Sequence, residues 1–226
     1  MAVNFEDDAG EDVIYPAIIS DLRCKVLVDC GCPGFLPKLD ESAFHAGISL
    51  RELTHVIITH HDYDHYGALF ELKERYPAIR VIASETEAPY IEGLEKSLRL
   101  SRVEAIYDKL PPDKRADALR FQKSLEALKP VKVDIRVSDG AVFSWCGGVR
   151  IVASPGHMPG HISVLVPCHR TLITGDALVA TNGRLRAANL NYAIDAREAL
   201  STAKKLMSPD IRTFVCYHGG VVNVGV

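Results

Sequence analysis

Between Thr59 and Gly67 the chain reads Thr-His-His-Asp-Tyr-Asp-His-Tyr-Gly, placing three imidazoles and two carboxylates within six residues, directly after the apolar run Val56-Ile57-Ile58. Imidazole nitrogens and carboxylate oxygens are the ligand atoms that suit zinc, iron and manganese. His60, Asp62 and Asp64 alternate, whereas His65 adjoins Asp64. In a turning backbone, alternate residues can aim at one centre and the adjacent pair at another. Two divalent ions a few ångströms apart would depress the pKa of a shared water and polarise a carbonyl or phosphoryl oxygen.

Further ligands must come from distant parts of the chain. His157, Asp176 and His218, like His60, each lie just beyond an apolar strand-like run, and six of the nine histidines (60, 61, 65, 157, 161 and 218) fall at such strand ends. Strand ends of layered α/β proteins converge on one rim, where irregular backbone presents side chains without disturbing the core. Asp176, with two oxygens, could bridge two ions.

The positioning elements follow from pattern. Val13 to Ile19 and Cys24 to Val28 are apolar and β-branched around a Ser20–Arg23 turn, with Pro16 suggesting an edge or a bulge. Residues 38–46 carry a helical pattern ended by Gly47, and Leu53 to Thr59 reads as a buried strand. Ala68 to Tyr76 is a short amphipathic helix stopped by Pro77, and Ile79 to Ala83 is the next strand. Strand, helix, strand at this spacing predicts a parallel crossover. Later strands are expected at 131–137, 141–145, 148–153, 162–166, 171–174 and 213–217, with a helix over 195–207 capped by Asp195. Residues 1–12 are acidic and read as a loosely held leader. Residues 85–129 are charged and helix-prone, with Phe121, Leu125 and Leu128 on one stripe. They predict a helical insertion, either a lid on the site or an extra layer covering core.

At 226 residues with 47% hydrophobic content, the chain suits one domain with a substantial core. A net charge of −3 argues against a nucleic-acid or anionic-membrane partner, leaving a small-molecule substrate. No apolar run reaches membrane-spanning length, and the N-terminus lacks a secretory layout, so a cytoplasmic location is expected. Six scattered cysteines without a Cys-x-x-Cys pair read as reduced core residues, with a reservation for Cys30 and Cys216 beside the candidate site.

Four motifs in order, Thr59-His60-x-Asp62-x-Asp64-His65-x-Gly67, Ser154-Pro155-Gly156-His157-x-Pro159-Gly160-His161, Gly175-Asp176 and His218-Gly219, together with Asp29-x-Gly31, resemble the metallo-β-lactamase-fold hydrolases, which include glyoxalase II-like thioesterases and lactonases. The resemblance spans about residues 14 to 220. It implies an αββα sandwich of two mixed β-sheets flanked by helices, with a dinuclear centre along one edge. His60, Asp62 and His157 would hold the first ion, Asp64, His65 and His218 the second, with Asp176 bridging. Zinc is the first candidate, iron and manganese the others.

The resemblance also implies catalytic roles for Asp64, Asp176 and His161, the last facing substrate or supporting the ligands, and an orienting role for Asp29. His61 projects away and reads as structural. Asp62 departs from the pattern, because zinc hydrolases of the family usually carry histidine there and an acidic residue resembles the di-iron branch. The leading expectation is therefore hydrolysis of an ester, thioester, lactone or phosphodiester by a hydroxide held between two ions. An iron-dependent oxidoreductase and a non-catalytic metal-binding module are the alternatives.

Overall fold

Successive strand residues point to opposite faces of a sheet, and in this chain several strands are apolar on both. Val26 and Val28 share one core cluster while Leu27, between them, joins another. Such strands need cover on both sides, and the fold supplies it.

The computed structural model describes residues 1–7 and 10–225. The first half of the chain contains β1 (Val3–Asp7), β2 (Gly10–Ile14), β3 (Ala17–Ser20), β4 (Lys25–Val28), α1 (Leu36–His45), β5 (His55–Ile57), α2 (Tyr63–Tyr66), α3 (Leu69–Arg75) and β6 (Arg80–Ser84). Helices α4 (Ala88–Ile91), α5 (Leu98–Tyr107) and α6 (Pro112–Glu126) come next, then β7 (Ile135–Val137). The second half contains β8 (Val142–Phe143), β9 (Val149–Ala153), β10 (Ile162–Val166), β11 (Thr171–Ile173), β12 (Leu178–Thr181), β13 (Arg184–Ala187), α7 (Ala196–Leu206), β14 (Thr213–Cys216) and β15 (Gly220–Asn223).

One sheet has the order β3-β4-β5-β6-β7, parallel from β4 onward with β3 antiparallel at its edge. The other has the order β15-β14-β11-β10-β9-β8 and is antiparallel except for β11 beside β14. Val26, Val28, Ile57 and Ile82 of the first sheet pack with Ile151, Ile162, Val164 and Ile173 of the second. On the outer face of the first sheet, Leu27, Val56 and Val81 meet Leu39 of α1 and Leu69 and Leu72 of α3. On the outer face of the second, Leu172 and Phe214 meet Ala203 and Leu206 of α7. This is the expected αββα arrangement.

The N-terminal segment departs from expectation. Instead of a loose leader, β1 pairs antiparallel with β2, and Val3 and Ile14 at one end of the pair are buried. Asp8 and Ala9 of that segment lie outside the described residues. Pro16 divides the expected first strand into β2 and β3, since it has no N–H to give a ladder. Strand β7 is shorter than the pattern predicted, because Asp134 turns its side chain and its backbone N–H onto Val81. The β12–β13 hairpin went unforeseen, β12 being only four residues long and β13 carrying Arg184 and Arg186 at alternate positions. Between β6 and β7 the chain forms α4, α5 and α6, the helices expected over residues 85–129.

Candidate metal centre

Strand β4 ends at Val28, and Asp29 follows in the left-handed region at φ +59°, a conformation that costs a non-glycine residue of order 1–3 kcal/mol. What holds it there is polar. Asp29 N–H donates to the Ile57 carbonyl at 2.9 Å. The Asp29 carboxylate accepts from Thr59 N (2.8 Å), Thr59 Oγ1 (2.8 Å) and His65 Nδ1 (2.9 Å). Because Thr59 Oγ1 donates to Asp29, it accepts from His60 Nδ1, 3.0 Å away. One buried carboxylate thus orients two histidines through their Nδ1 atoms and aims the Nε2 atom of each at the centre. That is how a protein orients imidazole ligands.

The Nε2 atoms of His60 and His65 are buried without a hydrogen-bond partner, as is Asp176 Oδ1. Buried polar atoms are seldom left so. His60, His157 and Asp176 form one group whose ligand atoms lie within 4.8 Å of one another, and Asp64, His65 and His218 form a second. Asp176 Oδ2 is 3.5 Å from His157 Nε2, while its Oδ1 is 3.3 Å from His65 Nε2 and 3.6 Å from His218 Nε2. The carboxylate therefore faces both groups, one oxygen to each. Asp64 Oδ2 lies 3.3 Å from His218 Nε2 and 3.7 Å from His65 Nε2. A tetrahedral ion with ligands at about 2.0–2.1 Å has edges of roughly 3.3 Å, so the second group fits a small divalent cation.

Burial and the neighbouring His65 push His60 well below the ordinary imidazole value, although Asp62 pulls the other way, so the ring stays a neutral ligand. Burial also lowers His65, but the charges of Asp176, Asp64 and Asp29 outweigh it and raise this imidazole well above its ordinary value. His218 behaves alike, raised chiefly by Asp176 and Asp64 against its burial. Asp176 would be raised by burial, yet His65 and His218 hold it well below the carboxylate range.

His161 has both ring nitrogens engaged by protein groups. It is buried, its Nδ1 meets Ser154 Oγ at 2.8 Å, and its Nε2 accepts from Asp176 N–H at 2.9 Å. Burial and His157 push it down to about 3, so the ring is neutral and positions the Asp176 backbone. Gly175 makes this contact possible. It sits at φ +51°, and a Cβ there would come within 2.7 Å of His161 Nε2. His61 also turns away, stacking on Tyr90 and pairing through Nδ1 with buried Glu87. Glu87 accepts from His61 N at 2.9 Å and Gly160 N at 2.8 Å, tying the loop of His60 to the loop of His157.

Asp62 is placed differently from its neighbours. Its two oxygens take Arg99 Nε at 2.8 Å and Arg99 Nη2 at 2.7 Å, a two-pronged pair with buried Arg99 of α5. Asp62 Oδ2 is also 3.3 Å from His60 Nε2 and 3.0 Å from His157 Nε2. Burial raises the Asp62 carboxyl, but the neighbouring His157, His60 and Arg99 outweigh that and hold it well below the usual range. Of the seven expected ligands, six form the two groups and Asp62 lies at the edge of the first, in the grip of Arg99.

Arg99 and Glu87 escaped sequence reasoning, and an acidic residue in a histidine position, which calls for a counter-charge, was the only signal. Tyr63 packs on Phe121 of α6 with ring centroids 5.6 Å apart, and Tyr66 is buried. All six cysteines are free, and Cys30 Sγ donates to the His65 carbonyl at 3.4 Å.

The metallo-beta-lactamase superfamily model matches residues 18–218, from β3 to His218. The chain belongs to the metallo-beta-lactamase superfamily. Probable metallo-hydrolase YflN of Bacillus subtilis is 28% identical over 180 residues, which cover 74% of this chain and 61% of that protein. Hydroxyacylglutathione hydrolase of Rhizobium meliloti is 26% identical over 136 residues, 59% of this chain and 38% of the relative. This superfamily member thus spans less than two thirds of the length of either relative. Metallo-beta-lactamase family protein TTHA1429 of Thermus thermophilus superposes with a TM-score of 0.74 at 18% identity, over 99% of this chain and 74% of that one. BJP-1, a subclass B3 metallo-beta-lactamase of Bradyrhizobium japonicum, gives 0.62 at 21% identity, over 91% and 71%. At such identities the likeness is one of fold. Among the described residues, no helix is long and apolar enough to cross a membrane.

Proposed function

We propose that the protein is a metal-dependent hydrolase of a small molecule carrying an ester, thioester, lactone or phosphodiester bond. The observation that carries this reading is the pair of ligand groups that share Asp176, with orphaned Nε2 and Oδ1 atoms turned into the space between them. Divalent ions bound there, two at full loading and zinc first among candidates, supply a nucleophile from water at neutral pH and a Lewis acid for the scissile carbonyl or phosphoryl oxygen. His60, His157 and Asp176 Oδ2 would hold one ion, and Asp64, His65, His218 and Asp176 Oδ1 the other.

The chain's own groups do the rest. Asp29 keeps the Nε2 atoms of His60 and His65 aimed inward. Asp64 and His218 are the open side of the centre, with side chains 22% and 32% exposed. Substrate therefore enters past them, and Asp64 is the carboxylate placed to orient the attacking water and take its proton. Arg99 and Tyr192 close the opposite side, the guanidinium donating to the Tyr192 carbonyl. A net charge of −3 favours a small substrate over nucleic acid.

Asp62 is the ground for an iron-based redox reading, and with both oxygens on Arg99 it offers that reading little support. The hydroxyacylglutathione hydrolase relatives put a glutathione thioester first in a substrate panel. Purified protein is expected to turn over at least one member of a thioester, ester, lactone and phosphodiester panel, with loss of turnover in His65→Ala. Activity on none of these bonds with zinc, manganese or iron present would overturn the proposal.

A further inference from the structure

Arg99 stands where the centre has no need of a second cation if a metal ion is already there. It is buried near the start of α5, after the Ser97 cap. Its Nε and Nη2 grip both oxygens of Asp62 at 2.8 and 2.7 Å, its Nη1 reaches the Tyr192 carbonyl, and Nη2 also lies 2.9 Å from His157 Nε2. A guanidinium nitrogen only donates. A carboxylate only accepts, and Asp62 Oδ2 lies 3.0 Å from the same nitrogen, so His157 Nε2 is engaged by the Arg99–Asp62 pair in either tautomer, while its Nδ1 has no hydrogen-bond partner.

That same nitrogen, 3.5 Å from Asp176 Oδ2, is the one that would face an ion in the first group. A nitrogen held by the Arg99–Asp62 pair, as acceptor or as donor, has no free lone pair for a metal. The paired Asp62 oxygen lies 3.3 Å from His60 Nε2, so the guanidinium also holds the carboxylate nearest that position. The second group is different, since no arginine or lysine pairs with Asp64 or Asp176 among the described residues, and its His65 Nε2 and Asp176 Oδ1 are orphaned.

We propose that Arg99 is a resident cation at the His60–His157 position, so that the protein binds one divalent ion tightly, among Asp64, His65, His218 and Asp176. A second ion binds only when the guanidinium leaves His157. The inference rests on the ligand set of the hydrolase reading but not on turnover. Because α5 belongs to the helical insertion, loading of the first position is tied to that segment's docking, to which Arg102 contributes by donating to the Ala193 carbonyl at 3.3 Å.

The test is a titration of the chelator-stripped protein with Zn²⁺ against a chromophoric chelator, with circular dichroism to confirm folding. Wild type is expected to take one tight equivalent, with the second weaker by about tenfold or more. Arg99→Gln removes the charge, and Asp62→His removes the carboxylate that Arg99 grips; each is expected to take two tight equivalents. Arg136→Gln, which alters an arginine paired with Glu92 and not with any of the seven candidate ligands, is expected to stay at one. Two tight equivalents in wild type overturn the proposal and leave the hydrolase reading standing. So does a single equivalent in both Arg99→Gln and Asp62→His, and Asp62→His alone decides if Arg99→Gln does not fold. No tight ion in any of these proteins overturns both.

Discussion

Asp29 Oδ2 accepts from His65 Nδ1 at 2.9 Å, and the same carboxylate, through Thr59 Oγ1, also fixes His60. The strained left-handed backbone of Asp29 persists because these contacts hold it. Asp29→Asn keeps the shape but replaces one acceptor with a donor, so His65 loses its orienting partner. Zinc affinity is expected to fall by about 10–100-fold, with the fold retained by circular dichroism. Unchanged affinity in the chelator competition would remove Asp29 from the centre.

Glu87 joins two ligand loops by accepting from His61 N, His61 Nδ1 and Gly160 N. Glu87→Ala leaves these donors buried and unpaired. Breaking a buried charged network from one side costs about 3–5 kcal/mol, so urea denaturation of the variant is expected to show a loss of that order. A loss below about 1 kcal/mol, the scale of an ordinary hydrogen bond, would show that the two loops hold together without Glu87.

The metal-free protein should respond to pH in a defined direction. His65 and His218 are raised above their unfolded values by Asp176 and Asp64, against their burial. Their contribution to stability is full below the unfolded imidazole pKa of about 6.5 and is lost as pH rises through the folded values. His60 and His161 are lowered chiefly by burial and act on the acid side instead. Burial also lowers the N-terminal amine, which opposes the trend as one group against two. The apo melting temperature is thus expected to fall between about pH 7 and 8.5, and to fall less in His65→Gln. Zinc-loaded protein should show the reverse trend in metal affinity, because ligands must shed protons to bind. An apo melting temperature that climbs equally in both proteins over this range would contradict the assignment.

The convergence of the candidate ligands was legible because the His60–His65 cluster, His157, Asp176 and His218 each follow an apolar strand, so local pattern placed them on one rim. The α7 helix was legible for a similar reason, Asp195 accepting from Glu198 N at 2.9 Å as its cap. What escaped was long-range pairing. Arg99 meets a carboxylate 37 residues away, and in sequence it is one arginine of a charged helix. Glu87 reaches Gly160 across 73 residues. For His161, motif spacing left two roles open, facing substrate or supporting the ligands, because spacing does not show that Ser154 and Asp176 occupy both of its nitrogens. The β1–β2 pair hid behind an acidic composition, its burial resting on Val3 and Ile14.

On the proposed reading, two groups sharing Asp176 hold the metal that hydrolysis requires. The most direct measurement is turnover of a thioester substrate by wild type and Asp176→Asn, before chelation, after chelation, and after zinc is returned, with metal content determined on the same samples. Wild type should lose both metal and turnover on chelation and recover both, while Asp176→Asn should hold less metal and show turnover lower by several orders of magnitude. Hydrolysis that survives complete removal of metal, or an Asp176→Asn variant with full metal content and full activity, would contradict the account.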